Sequence, residues 1–221
     1  MARPSRMPAA PLCELFPDIV PAGDLDGVDW AAAFGAAAPL MVEIGPGNDA
    51  FSIRLAGAVP LLHIVAIEHK KKKAWRLCRK IAASPVADRI RVLVADAAAA
   101  VGGLFAPGEV AGFYVNYPDP WPKRRHGKRR LLSPAFCRLL GAKLRPGGSV
   151  RVVTDVPAYA VEIRRAMSVA ALSDVPVHAP DPWMPALDHE TLFEIKAHKA
   201  GNVITRMRFQ KATTRGAQGG G

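Results

Sequence analysis

The chain has 221 residues, half of them hydrophobic, which is enough for one substantial core, and one compact domain is expected rather than two. Lys and Arg number 30 against 19 Asp and Glu, a formal net charge of +11 whose long-range field attracts polyanions. Cys13, Cys78 and Cys137 form no CxxC pair, suggesting neither a zinc site nor a disulfide framework, and no uninterrupted apolar stretch suits a signal peptide or membrane span; a cytoplasmic protein with no metal and no membrane partner is expected.

Residues 1–38, rich in Pro and Ala, read as a flexible N-terminal arm, residues 39–212 as the folded domain, and residues 213–221, small and polar, as a disordered tail. Within the domain, apolar runs alternate with helical patterns. A strand is predicted over 40–44, a helical stretch after Asn48, a strand over 63–67 and a basic helix over 70–82. Strands follow at 90–95 and 112–115, then a helix opened by Ser133-Pro134 that runs to Leu144. A strand over 150–153 comes after the Pro146-Gly147-Gly148 turn, and a helix covers 158–172. Residues 191–198 and 203–210 flank Ala200-Gly201-Asn202 and read as a β-hairpin. The expected fold is therefore α/β, with a mostly parallel seven-stranded sheet that ends in an antiparallel hairpin.

Glu43-Ile44-Gly45-Pro46-Gly47-Asn48 stands where a strand hands over to a helix, and its glycines allow a tight turn and close approach of a ligand to the backbone. Glu68 comes about twenty residues after Gly47, at the end of the second strand, where a carboxylate can accept both hydroxyl hydrogens of a ribose. Asp96 ends the third strand in the same way. Glu43, Glu68 and Asp96 thus line the crevice where open α/β sheets bind ligands. Gly45, Gly47 and Ala50 also satisfy the G-x-G-x-x-G/A pattern of a nicotinamide dinucleotide site. Against that reading, Asp49 puts negative charge where a pyrophosphate would sit. A methionine-type cofactor, cationic at its amine and sulfonium, suits a carboxylate-rich crevice better. Ordinary strand-end acids remain the alternative.

Asn116-Tyr117-Pro118-Asp119-Pro120-Trp121-Pro122-Lys123 leaves the fourth strand on the same edge as those carboxylates. Prolines on both sides of Asp119 restrict its backbone, which suits an acid held in one orientation. The following residues, Arg124-Arg125-His126-Gly127-Lys128-Arg129-Arg130, extend a basic run from Lys123 that would grip phosphates at the mouth of the site. A second cluster, Lys70 to Lys73 with Arg76, Arg79 and Lys80, opposes the helix macrodipole and is either a second RNA contact or a solvated face.

The string from Asn116 to Lys123, continuing through Arg125-His126-Gly127-Lys128-Arg129-Arg130, resembles the F-P-D-P-W-x-K and R-H-x-K-R-R elements of the TrmB-type tRNA (guanine-N7)-methyltransferase family. Thr154-Asp155 resembles its T-D element, Thr191-Leu192-Phe193-Glu194 its T-x-x-E element, and Trp30 with Phe34-Gly35 its W…F-G lead-in. The similarity runs from about residue 30 to 209. It implies a Rossmann-like class I methyltransferase fold, S-adenosylmethionine as cofactor, and N7 of a guanine in tRNA, guanine 46 of the variable loop in the family, as the methyl acceptor. It further implies that Glu43, Gly45, Gly47, Glu68, Asp96 and Asp119 hold the cofactor, with Asp119 also at the methyl-transfer centre near the cofactor's reactive end. Lys123, Asp155, Thr191 and Glu194 would meet the RNA or its guanine, and Arg125, Lys128, Arg129 and Arg130 the RNA backbone. The chain departs from the family's usual G-x-G-x-G loop by carrying Asp49 at the third glycine, and Tyr117 replaces the commoner Phe. An exocyclic-amine methyltransferase, whose D/N-P-P-Y/F/W loop Asn116-Tyr117-Pro118 echoes faintly, and a non-catalytic RNA-binding protein of the same fold are the competing readings. The sequence leaves the monomer and homodimer equally open.

Overall fold

The structure, a computed structural model, describes residues 28–47, 49–121, 124–181 and 192–213. Seven strands form one sheet: β1 (Leu40–Ile44), β2 (His63–Glu68), β3 (Ile90–Val94), β4 (Val110–Asn116), β5 (Leu144–Thr154), β6 (Leu172–Val175) and β7 (Thr205–Lys211). Their order across the sheet is β3-β2-β1-β4-β5-β7-β6. All pairings are parallel except the two that β7 makes, with β5 and with β6. The helices are α1 (Trp30–Phe34), α2 (Phe51–Ala58), α3 (Lys71–Ala82), α4 (Ala97–Leu104), α5 (Pro134–Lys143), α6 (Pro157–Val169) and α7 (Leu192–Lys199).

β1, β2 and most of β4 are buried along their length because helices cover both faces of the sheet, which is why they read as continuous apolar runs. Neighbouring strand residues point to opposite faces. Met41 and Tyr114 pack with Phe51, Leu55 and Leu77 of α2 and α3, whereas Val42 and Phe113 pack with Val101, Phe136, Leu140 and Tyr159 of α4, α5 and α6. Ser133 caps α5 by accepting a hydrogen bond from Phe136 N at 3.3 Å, and Pro134 opens the helix, as its missing N–H and fixed φ favour. Successive strands step outward from β1 through β2 to β3, and then β4 starts on the other side of β1. The carboxyl ends of β1 and β4 therefore meet at a topological switch point, where open α/β sheets place their ligand crevice.

Four features differ from expectation. The sheet does end in an antiparallel pair, but residues 191–198 are not its first strand: residues Leu192–Lys199 form α7, and β7 pairs instead with Leu172–Val175. That short strand is hidden in the sequence by Ser173 and Asp174, and the helix before it stops at Val169 because Ala171 turns the chain with a φ of 56°. β5 starts at Leu144, before the Pro-Gly-Gly turn, with an irregular stretch before its ladder with β4 resumes at Ser149. Within the expected arm, α1 is anchored: Trp30 stacks on Phe105 at 5.2 Å and donates its indole N–H to Leu104 O at 3.1 Å. Residues 1–27, the rest of that arm, and the tail beyond Thr213 lie outside the described residues. Finally, Cys78 is disulfide-bonded, which the wide spacing of the cysteines gave no reason to expect, while Cys137 is a free, buried thiol.

Candidate active site

A crevice of about 320 Å³ opens at the switch point. Its floor is the turn after β1. Gly45 and Gly47 have φ values of 71° and 63°, a left-handed backbone that favours glycine, and this lets the chain fold back over the strand ends. Gly45 N donates to Ile67 O at 2.9 Å and Gly47 N to Glu68 Oε2 at 3.1 Å, so the turn is held against β2.

Glu43, Glu68 and Asp96 all line the crevice. Glu43 is buried and accepts a hydrogen bond from the Ser52 hydroxyl of α2. Burial is the main cause that raises its carboxyl from the ordinary 4.5 to about 7, and the negative charge of Asp49 adds to it; the Ser52 hydrogen bond and Arg54 act the other way. Glu68 accepts from Gly47 N and, through Oε1, from Lys70 N at 2.8 Å. His69 Nδ1 also lies 3.2 Å from Oε1, while Oε2, with one donor, keeps a second lone pair for a ligand hydroxyl. Asp96 caps α4 through Oδ1, accepting from Ala98 N and Ala99 N at 2.9 and 3.0 Å, and among the described residues its other oxygen accepts no hydrogen bond. Asp49 turns towards Arg54 at 3.0 Å, so the charge that replaces the third glycine is paired within the protein.

The opposite wall is the loop that leaves β4. Asn116, Tyr117, Pro118, Asp119 and Trp121 line the crevice, together with Arg129 and Leu131 further on. Asp119 is exposed at the rim. The loop is bent at both ends by positive φ, 51° at Tyr117 and 41° at Trp121, conformations that cost about 1–3 kcal/mol each for non-glycine residues and persist only when contacts impose them. Tyr117 N donates to Val153 O at 2.8 Å at one end. At the other, Arg130 donates to Pro120 O and Trp121 O, and Arg129 lies over the Trp121 ring at 5.1 Å.

The crevice thus gathers Glu43, Gly45, Gly47, Glu68, Asp96, Asp119 and Arg129. Arg125 and Lys128 are exposed on the helical turn Arg124–Arg129. Asp155, just past β5, accepts from Asn202 Nδ2 at 3.0 Å, and Glu194 on α7 is buried and paired with Arg206. Neither Asp155 nor Glu194 is in the crevice wall. Lys123 and Thr191 lie outside the described residues. Sequence reading missed the placement of Asn116, Lys70 and Lys73 in the wall. The amide nitrogen of Asn116 is buried there without a hydrogen-bond partner, a donor that a ligand can satisfy. Its position at the end of the fourth strand was the one available signal.

A switch-point crevice with three strand-end carboxylates, in a sheet whose only antiparallel strand among the described residues is β7, defines a Rossmann-like methyltransferase fold. Solved structures share that fold: the 16S rRNA methyltransferase KamB superposes with a TM-score of 0.56 at 16% identity, covering 88% of this chain and 98% of its own. Geranyl diphosphate C-methyltransferase from Streptomyces coelicolor, solved with S-adenosyl-L-homocysteine, gives 0.52 at 13% identity, covering 84% and 79%. Residues 37–207 match the family described as "Putative methyltransferase". The tRNA (guanine-N(7)-)-methyltransferase of Bordetella pertussis is 34% identical over 84% of this chain and 72% of its own length, and that of Treponema pallidum 38% identical over 93% and 79%. The chain belongs to the tRNA (guanine-N7)-methyltransferase family.

Proposed function

We propose that the protein transfers a methyl group from S-adenosylmethionine to N7 of a guanine in tRNA, with guanine 46 of the variable loop as the target. The observation that carries this reading is the placement of Asp119, on a loop bent at both ends, at the rim of a crevice walled by Glu43, Glu68 and Asp96. When bound, the cofactor supplies an electrophilic methyl on a sulfonium. The crevice suits it: its volume falls in the range of small-molecule sites, and its buried acids complement a cationic ligand that brings no phosphate to Asp49. Glu68 would accept from the ribose hydroxyls, and Glu43 and Asp96 would hold the rest of the cofactor.

Guanine N7 carries a lone pair and no proton, so the chain needs no general base and its work is positioning. Positive charge moves onto the purine during transfer, and the Asp119 carboxylate stabilises it where it develops. Arg125, Lys128 and Arg129, beside this rim, grip the RNA backbone, with Lys123 continuing the stretch. Asp155, Thr191 and Glu194 meet the RNA or the edge of the guanine.

Incubation with a labelled methyl donor and unmodified tRNA, followed by strand cleavage at N7-methylguanine, tests the reaction directly. Asp119→Ala is expected to lower kcat by about 10²–10³ with cofactor affinity nearly unchanged. Near-normal turnover of that variant would overturn the assignment of Asp119.

A further inference from the structure

Arg130 closes the basic run, yet its guanidinium points into the protein. Nε donates to Pro120 O at 2.8 Å and Nη2 to Trp121 O at 3.1 Å, while Nη1 pairs with the Glu162 carboxylate of α6. The guanidinium carbon also lies 5.4 Å from the centre of the Tyr159 ring, again on α6. Its side chain is 19% exposed. One planar cation therefore ties the two carbonyls that immediately follow Asp119 to the helix after the next strand. It does so where the backbone is least willing to stay, at the left-handed Trp121. Arg129, the neighbouring residue, sits instead over the Trp121 ring at the crevice rim.

We propose that Arg130 is a positioning residue for methyl transfer: it holds the Asp119 loop in its bent form and does not serve as an RNA phosphate contact. The proposal rests on the reading of Asp119 as the residue at the transfer centre. The fork of the guanidinium is what the site uses, since two carbonyls and a carboxylate in different directions are satisfied by one rigid group. A lysine keeps the charge and loses that fork. An RNA-binding role and a positioning role therefore predict different kinetics.

The test compares Arg130→Lys, Arg130→Ala, Glu162→Gln and Arg129→Ala in full-length protein. It measures kcat, the KM for tRNA, cofactor affinity and the salt dependence of tRNA binding, with the melting temperature of each variant recorded. Arg130→Ala and Arg130→Lys are both expected to lower kcat about tenfold to a hundredfold, the cost of misplacing a catalytic group by about an ångström. KM and the salt slope should stay at wild-type values. Glu162→Gln, which leaves both carbonyl contacts in place, should lower kcat by a smaller factor and show no further loss when combined with Arg130→Ala. Arg129→Ala should instead raise KM and flatten the salt slope. If Arg130→Ala raises KM and reduces the slope by about one while kcat holds, and Lys restores both, Arg130 is a phosphate contact and the proposal fails. It fails equally if kcat is unchanged in all Arg130 and Glu162 variants while Asp119→Ala is inactive. An active Asp119→Ala would refute the underlying site reading instead. Should Arg130→Ala not fold, Arg130→Lys and Glu162→Gln decide between the same outcomes.

Discussion

Glu43 is buried in the crevice wall near the end of β1, with a carboxyl that titrates at about 7, raised chiefly by burial. In the unfolded chain it ionises near 4.5, so between these values the folded state binds the extra proton. Stability contributed by that proton is complete below about pH 4.5 and is lost as pH rises through 7. Glu43→Gln should therefore melt at a higher temperature than wild type at pH 8 and at a similar one at pH 4, measured without cofactor. A cationic cofactor held by Glu43, as proposed, would have the opposite preference and pull the proton off. Its affinity should fall as pH drops below about 7, and calorimetry at pH 6 in buffers of different ionisation enthalpy should show close to one proton released per cofactor bound. Glu43→Gln should abolish the proton release. Release that persists in the variant would assign the linkage elsewhere. Asp49 acts at the same point: its charge is matched by Arg54, so the departure from a third glycine is absorbed locally while it helps keep Glu43 protonated.

Among the elements, β7 and the segment after β6 depend on one buried ion pair. Arg208 is almost fully buried in β7 and donates to Asp181 at 2.8 Å, to Ala179 O at 2.6 Å and to Ser149 of β5 at 3.3 Å. Arg151, its cross-strand partner, donates to Val177 O at 3.0 Å. Two guanidinium groups thus hold residues 177–181 over the far half of the sheet. Asp181→Ala should destabilise the fold by about 3–5 kcal/mol, because it strands a buried charge, and lower the melting temperature by roughly 10 °C. Arg208→Met with Asp181→Leu should recover most of that loss, and an Asp181→Ala variant as stable as wild type would show the pair to be dispensable. None of this could be read from the sequence, in which Arg208 alternates with apolar residues like any exposed strand cation. The parallel strands were legible because burial on both faces makes them continuous apolar runs, and Glu43, Glu68 and Asp96 because each ends such a run. Residues 191–198 misled for the opposite reason: their short pattern of mixed apolar and polar residues fits a strand as well as the helix they form. Composition groups Arg130 with the phosphate-binding stretch because it shows charge and not direction; the structure turns its guanidinium towards Pro120 O, Trp121 O and Glu162.

For the molecule as a whole, the net charge of +11 is unevenly spread about the crevice. On one side, Arg125 and Lys128 are exposed and Arg129 stands at the rim. On the other, α3 buries Ala74, Leu77, Cys78 and Ile81 and turns Lys72, Arg76 and Arg79 outward, with Trp75 48% exposed beside them. Lys70 and Lys73 carry this surface down to the crevice wall. Lysines in the first turn of α3 oppose the helix macrodipole, at about 0.3–1 kcal/mol each, and no acidic residue in that turn offsets them. A polyanion lying across the crevice would meet cations on both sides, and an exposed indole gives an unpaired base a surface to stack on. Replacing Lys72, Arg76 and Arg79 together by Ala should flatten the slope of log K against log salt for tRNA by about two to three and raise KM. Because all three lie outside the crevice, kcat and cofactor affinity should hold, and the melting temperature should not fall. An unchanged salt slope in this triple variant would mean that α3 presents only a solvated face and that the RNA is held from the Arg125 side alone.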